Sequence, residues 1–319
     1  MDKNAKIYVA GHRGLVGSSL IRTLEAQGYH HLVTRTHHEL DLTRQDLVED
    51  FFKEEKPDYV ILAAAKVGGI GANSSYPAEF IHENLCIQTN VIHAAFVNKV
   101  QRLLFLGSSC IYPRECPQPI KEDYLMTGPL EWTNRPYAVA KIAGIEMCSS
   151  YNRQYGTKFL AVMPTNLYGP GDNYDLEKSH VIPALIRKFH EAKVSGKPSV
   201  EIWGTGKPLR EFLYVDDLSE ACVFLLNQPA DKVFVADKFP LYNVGFGQDI
   251  TIRDLAYLVK EVVGFEGEIE FNPQKPDGTP RKILDIACIK KLGWAPNTKL
   301  TDGLVKAYHP FCEIEQSHV

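Results

Sequence analysis

Over roughly the first 110 residues the apolar positions switch repeatedly between short continuous runs and a helical repeat. Lys6–Ala10 (KIYVA) is a β-rich burst that leads into a glycine-rich turn. Val16–Gln27 places Leu20, Ile21 and Leu24 on one helical face, and Gly28 supplies a stop. His31–Thr34 predicts a second strand, and Asp46–Glu55 a helix with Pro57 just beyond it. Tyr59–Ala65 (YVILAAA) is uninterrupted and apolar, as a strand buried on both faces requires. Pro77–Lys99 predicts a long helix and Arg102–Gly107 a fourth strand. Strands alternating with helices imply right-handed βαβ units and a parallel sheet.

Further on, Ala138–Tyr155 predicts a helix and Phe159–Val162 a strand ending in Pro164. Tyr168–Ser179, rich in Gly, Pro, Asn and Asp, predicts a loop, and Val181–Lys193 a helix. Val200–Trp203 and Glu211–Val215 predict short strands around the turn Gly204–Pro208. Leu241–Val244 is expected to return to the main sheet. Thr251–Val263 predicts a helix, Gly267–Phe271 a strand and Lys275–Arg281 a loop. The expected fold is α/β: a Rossmann-type doubly wound parallel sheet with a smaller C-terminal α/β domain. The sheet domain covers residues 1–165, with return segments near 211–245, and the second domain is mainly 166–319. No linker, repeat or low-complexity stretch separates the two.

Composition narrows the function. The 319 residues suit about two domains with a core that needs no staples. Lys+Arg 35 against Asp+Glu 39 leaves no basic excess for a phosphate backbone, so nucleic acid is not expected as a partner. The seven cysteines are an odd, scattered set without a CxxC pair, which fits a reducing compartment and no zinc site. Met1–Lys6 is polar and no apolar run approaches a membrane span, so a cytoplasmic protein without a membrane partner is expected.

Gly11-His12-Arg13-Gly14-Leu15-Val16-Gly17 follows a predicted strand and opens a predicted helix. Glycines there permit a tight turn and a close backbone approach to a pyrophosphate, while the helix start offers N–H donors. The second strand ends in Thr34-Arg35-Thr36-His37, without the acid that holds an NAD ribose. Arg13 and Arg35 instead favour the 2′-phosphate of NADP, provided Arg35 does not simply point to solvent.

Tyr137-Ala-Val-Ala-Lys141 places a phenol and an ammonium on one helical face. The ammonium is expected to favour the phenolate and lower the Tyr137 pKa, making it an acid or base for a carbonyl/alcohol couple. Ser108 and Ser109 close the fourth strand, where ligands bind in such sheets.

Loop, strand-end serine and Tyr/Lys pair together resemble the extended, nucleotide-sugar-modifying branch of the short-chain dehydrogenase/reductases. Five segments carry the resemblance further, to the GDP-L-fucose synthase family: Ala63–Ile70, Leu106–Pro113, Pro164–Pro170, Ser179–Pro183 and Lys275–Arg281. It spans essentially the whole chain. It implies the conversion of GDP-4-keto-6-deoxy-D-mannose to GDP-L-fucose by C3/C5 epimerisation and C4 reduction with NADPH. By that resemblance Ser108, Tyr137 and Lys141 form the reductase triad, and Cys110 and His180 carry the epimerisations. From residue type alone, Cys110 also reads as a small buried hydrophobe and His180 as a plain helix-start residue. The resemblance further implies coenzyme contacts at Gly11, Arg13, Gly14, Leu15, Val16, Gly17, Arg35, His37, Asp41, Leu106, Gly107, Lys141, Pro164, Thr165, Asn166, Leu167 and His180. Lys188, Trp203, Arg210 and Asp277 match positions for the nucleotide diphosphate, although Lys188 also suits a solvated face and Trp203 a core. A homodimer through Pro77–Lys99 and Ala138–Tyr155 is implied as well. The alternatives are another nucleotide-sugar epimerase or reductase of the same branch, and, remotely, a dinucleotide sensor without catalysis.

Overall fold

A computed structural model describes residues 1–176, 179–235, 238–275 and 277–316. In chain order the first half runs β1 (Ile7–Ala10), α1 (Leu15–Ala26), β2 (Leu32–Val33), α2 (Gln45–Glu55), β3 (Tyr59–Leu62), α3 (Ile70–Ser75), α4 (Pro77–Val97), β4 (Arg102–Leu106), α5 (Arg135–Tyr155) and β5 (Phe159–Pro164). The second half runs β6 (Asn166–Tyr168), α6 (Val181–Val194), β7 (Ser199–Trp203), β8 (Leu209–Tyr214), α7 (Val215–Asn227), α8 (Ala230–Val233), β9 (Leu241–Val244), β10 (Asp249–Thr251), α9 (Ile252–Val263), β11 (Glu268–Asn272), β12 (Arg281–Lys282), α10 (Ala287–Leu292) and α11 (Leu300–Gln316).

The main sheet is parallel, in the order β2-β1-β3-β4-β5-β9. The chain leaves β1 first to one side and then to the other, so the order reverses beside β1, where open α/β sheets bind ligands. β1, β3 and most of β4 and β5 are buried, which accounts for their unbroken apolar runs. Leu241–Val244 does return to this sheet, as β9 beside β5.

Two apolar cores form. One surrounds the parallel sheet and also takes in Leu284, Ile286, Ile289 and Trp294, so the chain comes back to it a second time after β12. The other joins α6, α9 and α11 through Ile182, Phe189, Leu255, Val259, Leu304 and Phe311.

Several elements differ from expectation. β3 ends at Leu62, not Ala65, because the backbone after it runs against Gly11: a side chain there would meet the Ala64 nitrogen at 2.7 Å. α5 begins at Arg135, which puts Tyr137 in its first turn. β6 lies between the expected strand Phe159–Val162 and the expected loop Tyr168–Ser179, sharing only Tyr168 with the loop, and α7 after Val215 occupies a stretch assigned to no element. Its polar face is satisfied against α1: Ser19 and Arg22 donate to Asp216 at 2.6 and 2.8 Å, and Ser219 donates to Ser19. Among the described residues no helix is long and apolar enough to cross a membrane.

Candidate active site

The glycine loop leaves β1 at the switch point. Gly11 has φ +85°, and a Cβ on Gly17 would lie 2.0 Å from the Gly11 carbonyl oxygen, so α1 packs directly on the turn. Gly14 begins α1 with no side-chain cap, and its first turn holds no acid, leaving the positive helix end uncompensated. The His12 Nδ1 is buried beside it without a partner. A bare helix start, an approach only glycine permits and an orphaned ring nitrogen fit a dinucleotide pyrophosphate.

The cations beyond β2 differ in freedom. Arg35 pairs with Glu55, donates to the Thr34 carbonyl and sits 5.4 Å from the centre of the Phe51 ring. Arg13 is exposed, and both arginines act on the Glu39 carboxylate, so they share one neighbourhood. His37 is exposed with Nδ1 3.8 Å from Asp41, whose carboxyl is held low first by its hydrogen bond from Thr43.

The end of β4 gathers the central groups. Ser108 starts a single tight turn, Ser109–Ile111, and its hydroxyl accepts from the Cys110 nitrogen at 3.4 Å. Lys141 is 3% exposed and donates to the Leu106 carbonyl at 2.8 Å. Its Nζ lies 4.7 Å from the Phe105 ring centre and 5.8 Å from that of Tyr137. Tyr137 stands edge-on to Phe80 at 6.3 Å. The Gly107 nitrogen bonds the Val162 carbonyl, fixing the serine segment against β5.

Charges there do not follow the simple expectation. Burial pushes the Tyr137 phenol up rather than down, and the neighbouring Cys110 adds to the rise. Desolvation of the phenolate is the leading cause, and the Lys141 ammonium is committed to the Leu106 carbonyl. The cost falls on Lys141 as well, whose pKa burial lowers to about 8. Burial raises the Cys110 thiol; Lys282, the Ser108 hydroxyl and Lys141 oppose that rise, Lys282 foremost. His180 precedes α6, and desolvation lowers its pKa. Its side chain makes no cap bond.

β5 ends beside this group. Thr165 is buried and donates to the Glu211 carbonyl, which also accepts from Asn166 at 2.9 Å. Pro164 closes β5, and Leu167 lies half-buried in β6.

A second cluster lies on α6, β7, β8 and the loop before β12. Trp203 is 59% exposed, with the Lys188 and Lys275 ammonium groups 5.7 and 5.1 Å from its ring centre. Lys188 also donates to the Glu201 carbonyl. Arg210 is half-buried and within electrostatic reach of Asp277. Asp277 already accepts from the Thr205 nitrogen and hydroxyl at 2.6 and 2.8 Å, which ties its loop to the Gly204–Pro208 turn. Lys275, beside Trp203, is not among the predicted site residues, although it opens the Lys275–Arg281 segment. Among the described residues no group of three or more His, Cys, Asp or Glu is placed to hold a metal.

Parallel sheet, glycine turn and strand-end Ser/Tyr/Lys group define a dinucleotide-dependent α/β protein. The chain belongs to the NAD dependent epimerase/dehydratase family, whose model matches residues 7–245. It is 60% identical over 307 residues to GDP-L-fucose synthase 1 of Arabidopsis thaliana, covering 96% of this chain and 93% of that one. It is 52% identical over 311 residues to the GDP-L-fucose synthase of Escherichia coli K12, covering 97% of each. Among solved structures, a GDP-D-glycero-L-gluco-heptose synthase from Campylobacter jejuni, determined in the presence of NADPH, superposes with a TM-score of 0.92. That pair is 41% identical and covers 98% of this chain and 99% of the other.

Proposed function

We propose that this chain is an NADPH-dependent enzyme that converts GDP-4-keto-6-deoxy-D-mannose to GDP-L-fucose. The observation that carries the reading is the gathering of Ser108, Cys110, Tyr137 and Lys141 at the end of β4, in a chain whose full-length relatives at 52–60% identity are named GDP-L-fucose synthases. In this reading residues 1–165, with the return segments near 211–245, hold the coenzyme, and 166–319 mainly hold the GDP-sugar.

Hydrogens at C3 and C5 flank the C4 ketone, so each leaves as a proton to give an enolate. Inversion needs a base on one face and an acid on the other. Cys110 and His180 are that pair: one takes the proton from carbon, the other returns a proton to the opposite face. In between, the C–H electron pair rests on the C4 oxygen, to which Ser108 and Tyr137 donate. For reduction, Tyr137 gives its phenolic proton to the same oxygen, and Lys141 stabilises the phenolate left behind. NADPH, when bound, supplies the hydride.

Gly11, Gly14, Leu15, Val16 and Gly17 cradle the pyrophosphate. Arg13 is the freer of the two arginines for the 2′-phosphate, with Arg35 and His37 behind it and Asp41 towards the adenine. Leu106, Gly107 and Pro164–Leu167 flank the nicotinamide half. Lys188, Trp203, Arg210 and Asp277 receive the GDP end, Trp203 as a stacking wall. The partner is a second copy of this chain, paired through α4 and α5, where Val97 and Tyr155 are exposed beside Phe96 and Tyr151. The likeness to a GDP-heptose synthase favours, as a second reading, a related GDP-sugar in the same site.

Solvent-deuterium exchange at C3 and C5 tests the residue assignment. Cys110→Ser is expected to slow exchange on the order of a hundredfold, and Tyr137→Phe to block reduction while leaving exchange weakened but measurable, since Ser108 still donates to the enolate oxygen. Wild-type exchange in Cys110→Ser contradicts the assignment.

A further inference from the structure

The sheet face that carries Trp203 holds more than the two ammonium groups beside its ring. Side chains alternate along β7, so Glu201 and Trp203 stand on the same side; both are exposed, while Val200 and Ile202 are buried. β11 runs parallel to β7 with Asn272 in register with Trp203, which puts the Asn272 side chain on that side as well.

The Asn272 amide is fixed at both ends. Its Oδ1 accepts from the Gln274 nitrogen, and its Nδ2 donates to Glu201 Oε2, each at 3.1 Å. Its backbone carbonyl accepts from the Gly204 and Lys275 nitrogens at 2.9 and 3.1 Å, so one residue ties the turn after Trp203 to the start of the loop before β12. Lys188 reaches the same strand from α6 and donates to the Glu201 carbonyl at 3.2 Å. Among the described residues the Glu201 carboxylate forms no ion pair, and its Oε1 has no hydrogen bond. The result is an exposed carboxylate aimed by an amide, beside an exposed indole.

This set is selective in what it can take. Trp203 offers a flat apolar face with ammonium groups 5.7 and 5.1 Å from its centre, suited to a stacked ring joined to an anion. At the edge of that face the carboxylate can only accept hydrogen bonds. Guanine alone among the common nucleobases presents two adjacent donors on one edge, N1–H and the 2-amino group. Adenine, cytosine, uracil and thymine place an acceptor beside the donor, and a carboxylate repels it.

We propose that Glu201, oriented by Asn272, reads the base of the sugar nucleotide: its carboxylate accepts from N1–H and the 2-amino group of a guanine stacked on Trp203. This rests on the reading of the Trp203 cluster as the GDP end of the site. It makes Glu201 a specificity-determining residue that favours guanine over uracil and thymine nucleotide sugars.

The test is isothermal titration calorimetry of the full chain with GDP and with IDP, which lacks only the 2-amino group. Wild type is expected to bind GDP about tenfold more tightly than IDP, the worth of one hydrogen bond to a charged acceptor. Glu201→Ala is expected to weaken GDP by about thirtyfold and to bring GDP and IDP within about twofold of each other. Glu201→Gln keeps the side-chain shape but gives up one acceptor, and is expected to weaken GDP by about tenfold. NADPH titration of each variant reports on folding. A GDP preference in Glu201→Ala equal to that of wild type overturns the proposal, as does equal binding of GDP and IDP by wild type. Wild type that binds neither nucleotide overturns the GDP reading itself, so the two failures are distinguishable.

Discussion

Lys141 donates its ammonium proton to the Leu106 carbonyl at 2.8 Å while standing 5.8 Å from the Tyr137 ring centre. One side chain thereby joins the end of β4, two residues before Ser108, to the helix that carries Tyr137. Burial lowers its pKa to about 8. In the free enzyme kcat/KM for reduction is therefore expected to fall as pH rises through about 8, where the ammonium loses its proton. Lys141→Arg keeps the charge and should abolish that alkaline limb in whatever activity remains. A limb that persists unchanged in Lys141→Arg assigns it to another group.

The same burial makes Lys141 costly to the fold. The unfolded chain keeps this proton up to the ordinary lysine range, the folded chain only to about 8. Below that value the folded state bears the whole cost, about 3 kcal/mol, and stability recovers as pH rises towards the unfolded pKa. Lys141→Met removes the charge and orphans the Leu106 carbonyl, which costs about 1 kcal/mol. Urea unfolding at pH 7 should show a net gain of about 2 kcal/mol in a variant that no longer reduces substrate.

Gly17→Ala tests the coenzyme loop. Its Cβ would sit 2.0 Å from the Gly11 oxygen and 2.7 Å from the His12 Cα, both backbone atoms. The turn must open, so NADPH affinity measured by fluorescence titration should fall by at least about a hundredfold. Retained affinity contradicts the placement of the pyrophosphate.

Glu211→Gln tests the anchor beneath the sugar half. The carboxylate accepts from Gly247 and Leu284, and an amide presents donors to at least one of those donors. A loss of about 2 kcal/mol in stability is expected, with a raised KM for the GDP-sugar and an unchanged KM for NADPH. Equal effects on both KM values would mark a general loss of structure.

The local pattern made most of the coenzyme half legible. The runs at Ile7–Ala10, Tyr59–Leu62 and Arg102–Leu106 have one physical cause, burial on both faces of a parallel sheet. α7 was missed because its amphipathic signal becomes meaningful only against α1, where Ser19 and Arg22 meet Asp216. Tyr137 and Lys141 were visible as a pair, but the direction of the Tyr137 shift depends on desolvation, which spacing does not report. Lys282 was invisible for a similar reason. It stands opposite Arg210 only because β12 pairs with β8, and no local pattern encodes that pairing.

The central claim is best tested by coenzyme oxidation with purified GDP-4-keto-6-deoxy-D-mannose, run in parallel with NADPH and NADH and followed by identification of the sugar nucleotide formed. NADPH is expected to be oxidised faster than NADH, with GDP-L-fucose as product. Tight NADPH binding without turnover of this sugar, or a reduced product with unchanged C3 and C5, would contradict it.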